Sequence, residues 1–548
     1  MRFLGLFFAL GSLACSSDPA TISLRIYTAA DQVNETGKQV NGNLLQAGVV
    51  DTLEVVAFDE AAATALYSQR FSVVDGAGNL DGLPMAENYR FEVRGYTVDA
   101  QGLPTVYAYG AAAGVAIEEG RGVSVQLGRA GCAGLNEPSP IRTADGEADM
   151  VESRYGASVT LLDDGRVMIA GGAARLGANG EIEALSRTIE FYDPTNAVFV
   201  GAPFELPQGL AFHTASLLPD GKILFVGGLT DQGAGAAPSE VVFTVDPVAG
   251  IPEVVTPAAG AIFQARFRHQ ALSLPGGDVL IVGGETANGE VLGSTFRYFA
   301  QTRNLTEQGT LQFPRSQHTL SPVARGDTEL GVVIGGKGVG GTPIKAIETF
   351  SVNAGGAQCP DGSSPSLERG CWIQIANLTT PRWGHSAVAI QGGTEILIAG
   401  GFETGDESMP TASMELLRSN FKGENDQVGL TFNAGQLSAP RGHMAAAVTT
   451  DGVNDLFIFS GGVQTGTAQS VVDAVERRVA AEGQVPMFVV SSLPAECQQV
   501  GLPELRWGAQ SVRLANDVVL TIGGALRNNL ATTRRAELYF PRLQLRTF

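Results

Sequence analysis

The chain runs to 548 residues, too many for one compact core. Apolar residues make up 44% and charged residues 17%, which argues against disorder, and a formal net charge of −20 argues against nucleic acid, since an acidic surface repels phosphate. Seventy glycines and few long helical patterns point to an all-β protein rich in turns.

The first residues, MRFLGLFFALGSLACSSD, place Arg2 before an apolar run, Phe3 to Leu13, that is too short to span a membrane as a helix. Residues 1–14 read as an export signal. Ser12-Leu13-Ala14 before Cys15 resembles a bacterial lipoprotein signal, although that family usually carries leucine where Ser12 stands. The resemblance implies a lipid on Cys15, a tether over 15–20, and a place at the outer membrane or cell surface. The alternative is a periplasmic or secreted protein. Five cysteines occur, and lipidating Cys15 leaves Cys132, Cys359, Cys371 and Cys497 to pair in an oxidising compartment.

Residues 21–130 hold six or seven strand-like stretches. Thr21 to Tyr27, Tyr89 to Tyr96 and Val123 to Leu127 alternate apolar and polar residues, so one face of each is buried. This fits a small β-sandwich, immunoglobulin-like or similar. Residues 131–153 are polar without periodicity and read as a linker. Within them Asp145, Glu147 and Asp149 are spaced like a calcium loop, but Met150 stands where that loop needs glycine.

From Arg154 the chain repeats itself seven times. Each repeat is a hairpin whose second strand is continuously apolar and ends in a glycine pair: Gly171-Gly172, Gly227-Gly228, Gly283-Gly284, Gly335-Gly336, Gly400-Gly401, Gly461-Gly462 and Gly523-Gly524. Turns such as Asp164-Gly165, Asp220-Gly221 and Asp451-Gly452 suit the positive φ angles of tight hairpins. The glycine pair marks a close backbone approach. A third strand, often opening with glutamate, and an irregular fourth complete each unit.

The R-x-x-H entry, the Asp-Gly turn, the apolar strand into Gly-Gly and an E-x-Y-D-P third strand together resemble the kelch repeat family. The resemblance covers residues 154–548 and implies a seven-bladed β-propeller after the small sandwich. Leu210 replaces the entry arginine in blade 2, Ala157 and Ala509 replace the histidine in blades 1 and 7, and blade 6 is one residue short at its entry. Seven units use up the chain to Phe548, so no spare strand is expected to close the ring. A Cys132–Cys497 disulfide is the expected clasp, and Cys359–Cys371 would tie off the insertion in blade 4, among three possible connectivities.

The five histidines, His213, His269, His318, His385 and His443, are read as filling one repeated structural slot, with no metal. The entry arginines Arg154, Arg266, Arg315, Arg382, Arg441 and Arg506 should ring one mouth of the channel. Such a ring is a candidate binding face for carboxylate or sulfated ligands. The competing reading pairs them with strand-three acids, Glu190, Glu240, Glu348, Glu415 and Glu537, and is the stronger. No Walker loop, G-x-S-x-G elbow, H-E-x-x-H or sialidase box is present. The copper centre of galactose oxidase, the known enzyme with kelch-like repeats, needs tyrosine and histidine ligands, and no Tyr-His dipeptide occurs. The expectation is a monomeric, envelope-anchored binding protein without cofactor, not an enzyme. It would recognise a protein or glycan through loops such as LTDQGAGAAPS and FETGDESMP. The alternatives are an envelope carbohydrate-active enzyme and a structural scaffold.

Overall fold

The structure is a computed structural model. It describes residues 4–5, 23–28, 32–33, 39–40, 44–45, 49–59, 64–73, 88–98, 104–116, 122–135 and 146–541, the last without 178–180, 232–235, 259–261, 326–328, 353–358, 361, 363, 367–368, 391–393, 419–429, 452–453, 466, 469–471, 479–486, 492–505 and 527–530. Cys15, Cys497 and the segment 542–548 lie outside the described residues.

The N-terminal part forms a seven-stranded sheet in the order Leu4–Gly5, Ser23–Thr28, Gly122–Arg129, Pro104–Val115, Tyr89–Val98, Thr52–Asp59, Thr64–Ser72. Gly122–Arg129 pairs with Pro104–Val115 only at Ala108–Arg129 and Tyr109–Gly128, and along the rest of its length runs parallel to Ser23–Thr28. The sheet thus folds over itself. Leu24, Ile26, Val123 and Val125 from one layer meet Leu53, Val55, Phe91 and Val93 from the other in one core. That is the burial that period-two alternation demands.

Seven four-stranded sheets follow, the blades of a β-propeller. Their second strands, Val167–Ala170, Ile223–Val226, Val279–Val282, Glu329–Ile334, Glu395–Ala399, Asp455–Ser460 and Val519–Ile522, sit between the first strand and the third in every blade. The first strands touch in succession, and Ser158–Leu161 of blade 1 also touches Gln510–Arg513 of blade 7, so the ring is closed. Apolar burial lies between blades. Val167 and Ile169 pack on Leu520 and Ile522 of blade 7, while Met168 and Ala170 pack on Ile223 and Phe225 of blade 2. A strand that feeds a core on each side must be apolar at every position, which is why these runs do not alternate.

The glycine pairs are the joints between blades. In all seven pairs both glycines have positive φ, from 55° to 65° at the first and from 93° to 107° at the second. The second N–H donates to the carbonyl of the entry residue in the next blade, from Gly172→Leu210 at 2.6 Å round to Gly524→Arg154 at 2.8 Å. A Cβ on the first glycine would come within 3.0 Å of that same carbonyl oxygen. Conformation and space therefore both require glycine there.

Two expectations are corrected. The segment 131–153 is not only a linker: Cys132–Leu135 is the outer strand of blade 7, antiparallel to Ala536–Phe540, with Cys132 opposite Phe540. Further along, Met150 is buried between blades 7 and 1, and Asp149 Oδ1 accepts from Ala536 N at 3.2 Å. A spare strand therefore does close the ring. It comes from the amino-terminal side of the repeats, where a four-residue strand is too short to show periodicity. The N-terminal domain is fastened to the same blade. Arg90 bonds Asp517 at 2.5 Å, Asn516 donates to the Ala111 carbonyl at 3.0 Å, and Gly128 has no room for a side chain against Phe540. Cys359 and Cys371 are joined, with Cα atoms 5.8 Å apart. Cys132 is also disulfide-bonded, to a partner outside the described residues.

Candidate functional site

The entry arginines do not face the channel. All six are 0–1% exposed. In five blades Nη1 donates to the carbonyl of the blade's first paired glycine, as in Arg154→Gly171 at 2.6 Å and Arg382→Gly400 at 3.0 Å. Their charge is met by Glu190, Glu348, Glu415, Asp473 and Glu537, with Arg382–Glu415 at 2.7 Å and Arg506–Glu537 at 2.6 Å. The candidate binding face is thus a set of buried ion pairs that brace the glycine joints. Burial lowers the affinity of Arg315, Arg382 and Arg441 for their protons, and the facing acids oppose it.

Register decides which acid takes part. The position of Glu190, opposite Ile169, is held in blade 2 by Phe243 and in blade 3 by Phe296. Glu240 is exposed and is not a partner. Blade 2 has exchanged both members of the pair, since Leu210 and Phe243 share one core cluster. In blade 3 Arg266 has no carboxylate partner among the described residues. It lies over Phe263 and Phe296 at 4.7 and 5.0 Å, and burial pushes it down to about 9.

Four histidines share one inter-blade slot, and three of them latch neighbouring blades. His213, His269 and His385 direct Nε2 to Ser158, Thr214 and Thr319 of the preceding blade at 2.9, 3.1 and 2.9 Å. His318 occupies the same slot without such a bond, because Gln270 stands where the hydroxyl would be. His443 breaks the expected equivalence: it lies one residue earlier, and Met444 fills the slot. Burial, reinforced by Arg154 and Arg382, holds His213 and His385 down at about 3, and burial drives His269 and His318 well below the ordinary range. These rings are neutral in the fold but protonate near pH ~6.5 in the unfolded chain. Stability is therefore full above about pH 6.5 and falls with pH below it; for His213 and His385 the loss runs toward pH 3, by up to about 1.4 kcal/mol per pH unit per histidine. His385→Gln should flatten urea midpoints plotted against pH between about 6 and 4 by one proton's worth. An unaltered slope would show that His385 is protonated in the fold.

The residue before each latch position lines the hub. Gly156, Phe212, Arg268, Gln317, Gly384, His443 and Gly508 all have positive φ, between 50° and 69°. Backbone hydrogen bonds of 2.7–3.4 Å run from each to the next, from Gly156 to Gly508. This collar opens a cavity of about 640 Å³ that continues along the inner strands. The side chains around it touch in sequence. Arg268 lies over Phe212 at 5.5 Å, and Phe212 meets Tyr155 at 5.1 Å and Tyr155 meets Trp507 at 4.8 Å. Trp507 meets His443 at 5.7 Å, His443 meets Trp383 at 5.4 Å, and Lys337 Nζ lies over Trp383 at 4.3 Å. The result is an aromatic horseshoe with a cation at each tip, built from all seven blades. Glu407, from the loop FETGDESMP, stands 3.6 Å from His443 Nε2.

None of the horseshoe was singled out from the sequence except His443. A signal was present: Tyr155, Trp383 and Trp507 each follow an entry arginine. Three of the seven collar positions are glycine, and there a neighbouring ring fills the space. A Cβ at Gly508 would lie 2.5 Å from Tyr155, and one at Gly156 would lie 2.8 Å from Phe212.

No family model and no curated protein matches the chain. Among solved structures it is similar to "Structure of YjhT", at 14% identity over 63% of this chain and 99% of that one, with a TM-score of 0.42. It is also similar to a fungal alcohol oxidase of the AA5 family in complex with copper, at 15% identity over 74% of this chain and 77% of that one, with a TM-score of 0.48. At these scores neither likeness assigns an activity, ligand or cofactor. The expectation that the chain is not an enzyme is withdrawn, since an alcohol oxidase stands among the structures it is similar to; the oxidase activity is that protein's. The missing motifs were poor grounds for that expectation: groups that meet at a propeller hub come from separate blades and leave no local signature. Copper itself does not fit the donors. Among the described residues no three His, Cys, Asp or Glu side chains come together, and three histidines spend Nε2 on hydroxyls.

Proposed function

We propose that the hub cavity is the functional site and that it takes a saccharide. The observation that supports this is the horseshoe. Trp507 and Phe212 keep part of their surface open to the cavity, with Tyr155 packed between them. Aromatic faces carry negative charge, and the C–H faces of a pyranose carry weakly positive hydrogens, so the two stack. A cavity of about 640 Å³ is in the range of small-ligand sites, and Gln317, Thr214 and Gln270 supply hydrogen-bonding groups along its wall. On this reading the protein is exported, held to the envelope through Cys15, and presents the hub to glycans.

Trp507→Ala should weaken oligosaccharide binding roughly 10- to 100-fold, measured by titration calorimetry on the whole protein. Unchanged affinity would remove the horseshoe from the site. A second reading, that the site also transforms its saccharide, is favoured by the facing pair His443 and Glu407. His443→Ala would then retain binding and lose conversion of the bound sugar.

A further inference from the structure

The aromatic horseshoe leaves one side of the hub to cations. Arg268 and Lys337 stand at its two tips, on blades 3 and 4, and the tips are joined behind the cavity. Arg268 Nη1 bonds Glu285 Oε1 at 2.8 Å, and Ser316 Oγ donates to Glu285 Oε2 at 2.8 Å. Ser316 pairs through its backbone with Lys337 at 2.8 and 3.0 Å, so both cations are fixed to one short stretch of framework. Their bonding is incomplete. Among the described residues Lys337 has no carboxylate partner, only the face of Trp383. Arg268 gives Glu285 a single nitrogen, and Glu285 shares its charge with a serine as well. The carboxylate that lines the cavity, Glu407, faces His443 in blade 6. In a chain of net charge −20, two cations lining one cavity from neighbouring blades create a local field that attracts an anion.

We infer that the saccharide is acidic, with a carboxylate or sulfate ester set between Lys337 and Arg268 while its ring lies on Phe212 and Trp507. This rests on the saccharide reading above. The placement follows from continuity. The Arg268 guanidinium lies over Phe212, so a sugar stacked on the open part of that ring brings an equatorial substituent to the guanidinium edge. Lys337, held on Trp383, has a long flexible stem that lets its ammonium meet the second oxygen.

The test compares three oligosaccharides of equal length on the whole protein by calorimetry: a neutral hexose chain, a hexuronate chain and a sulfated chain. An acidic chain should bind at least about tenfold tighter than the neutral one at low salt, and the advantage should shrink as salt rises. Whichever acidic chain leads identifies the anion. Lys337→Met, which keeps the stem on Trp383, should cut the acidic-to-neutral affinity ratio about tenfold. Equal binding of neutral and acidic chains, or a ratio unmoved by Lys337→Met, overturns the acidic inference and leaves the saccharide site standing. Binding of none of the three overturns both.

Discussion

Arg382→Leu should destabilise the protein by about 3–5 kcal/mol, because it leaves Glu415 buried without its countercharge. The arginine also gives up bonds to the Gly400 carbonyl at 3.0 Å, the Ser413 carbonyl at 2.9 Å and the Ser413 hydroxyl at 2.7 Å. The double variant Arg382→Leu with Glu415→Phe should regain most of that loss, to within about 1–2 kcal/mol. Blade 2 already shows the arrangement it would adopt, with Leu210 and Phe243 packed together and Phe243 stacked on Phe225 at 5.1 Å. Urea titrations of the two variants decide the matter. If the double variant is as weak as the single, the pair contributes through geometry at the glycine joint and not through charge.

The other large effect concerns ring closure. A chain beginning at residue 131 retains the strand Cys132–Leu135, and a chain beginning at residue 136 does not. The longer chain should melt cooperatively. The shorter one should melt lower by on the order of 10 °C and aggregate. Without Cys132–Leu135 the third strand of blade 7, including Leu538, Tyr539 and Phe540, becomes a bare edge. Both chains lack the N-terminal domain, so its contacts through Arg90 and Asn516 cancel from the comparison. Equal melting temperatures would mean that the seam between blades 7 and 1 is held by the inter-blade core alone.

The repeat was legible because its marks are local. Two successive residues with positive φ, one of them pressed on a carbonyl, can only be glycine, and seven such pairs announce themselves. The acids were half legible. Glutamate at the start of strand three was the visible cue, but a one-residue difference in register separates a partner from a bystander. In blade 2 Glu240 opens the segment but Phe243 holds the partner's register, and in blade 6 the partner is an aspartate, Asp473, opposite Phe459. The histidines looked equivalent because each closely follows the entry position of its blade, an arginine in every case but Leu210 before His213. Spacing of two residues or three decides between collar and latch, and His443 has the shorter spacing. The site itself was not legible as a motif, since each blade gives it one or two side chains and only the closing of the ring assembles them.

The strand that completes blade 7 is synthesised before any blade exists. Cys132 waits for Phe540, and every residue between them must be made before the two can pair. A loop of this length adds little to the final free energy, because the entropy of closure grows only with the logarithm of its size. Its influence is on the order of events. Blades 1 to 6 are able to form one after another through neighbour contacts, as repeats do. The seam is sealed last, in one long-range step of the kind that slows folding. Until then the molecule is an open arc, its hub unformed and two strand edges unpaired. A chain interrupted late in synthesis would therefore fail at the site as well as at the seam.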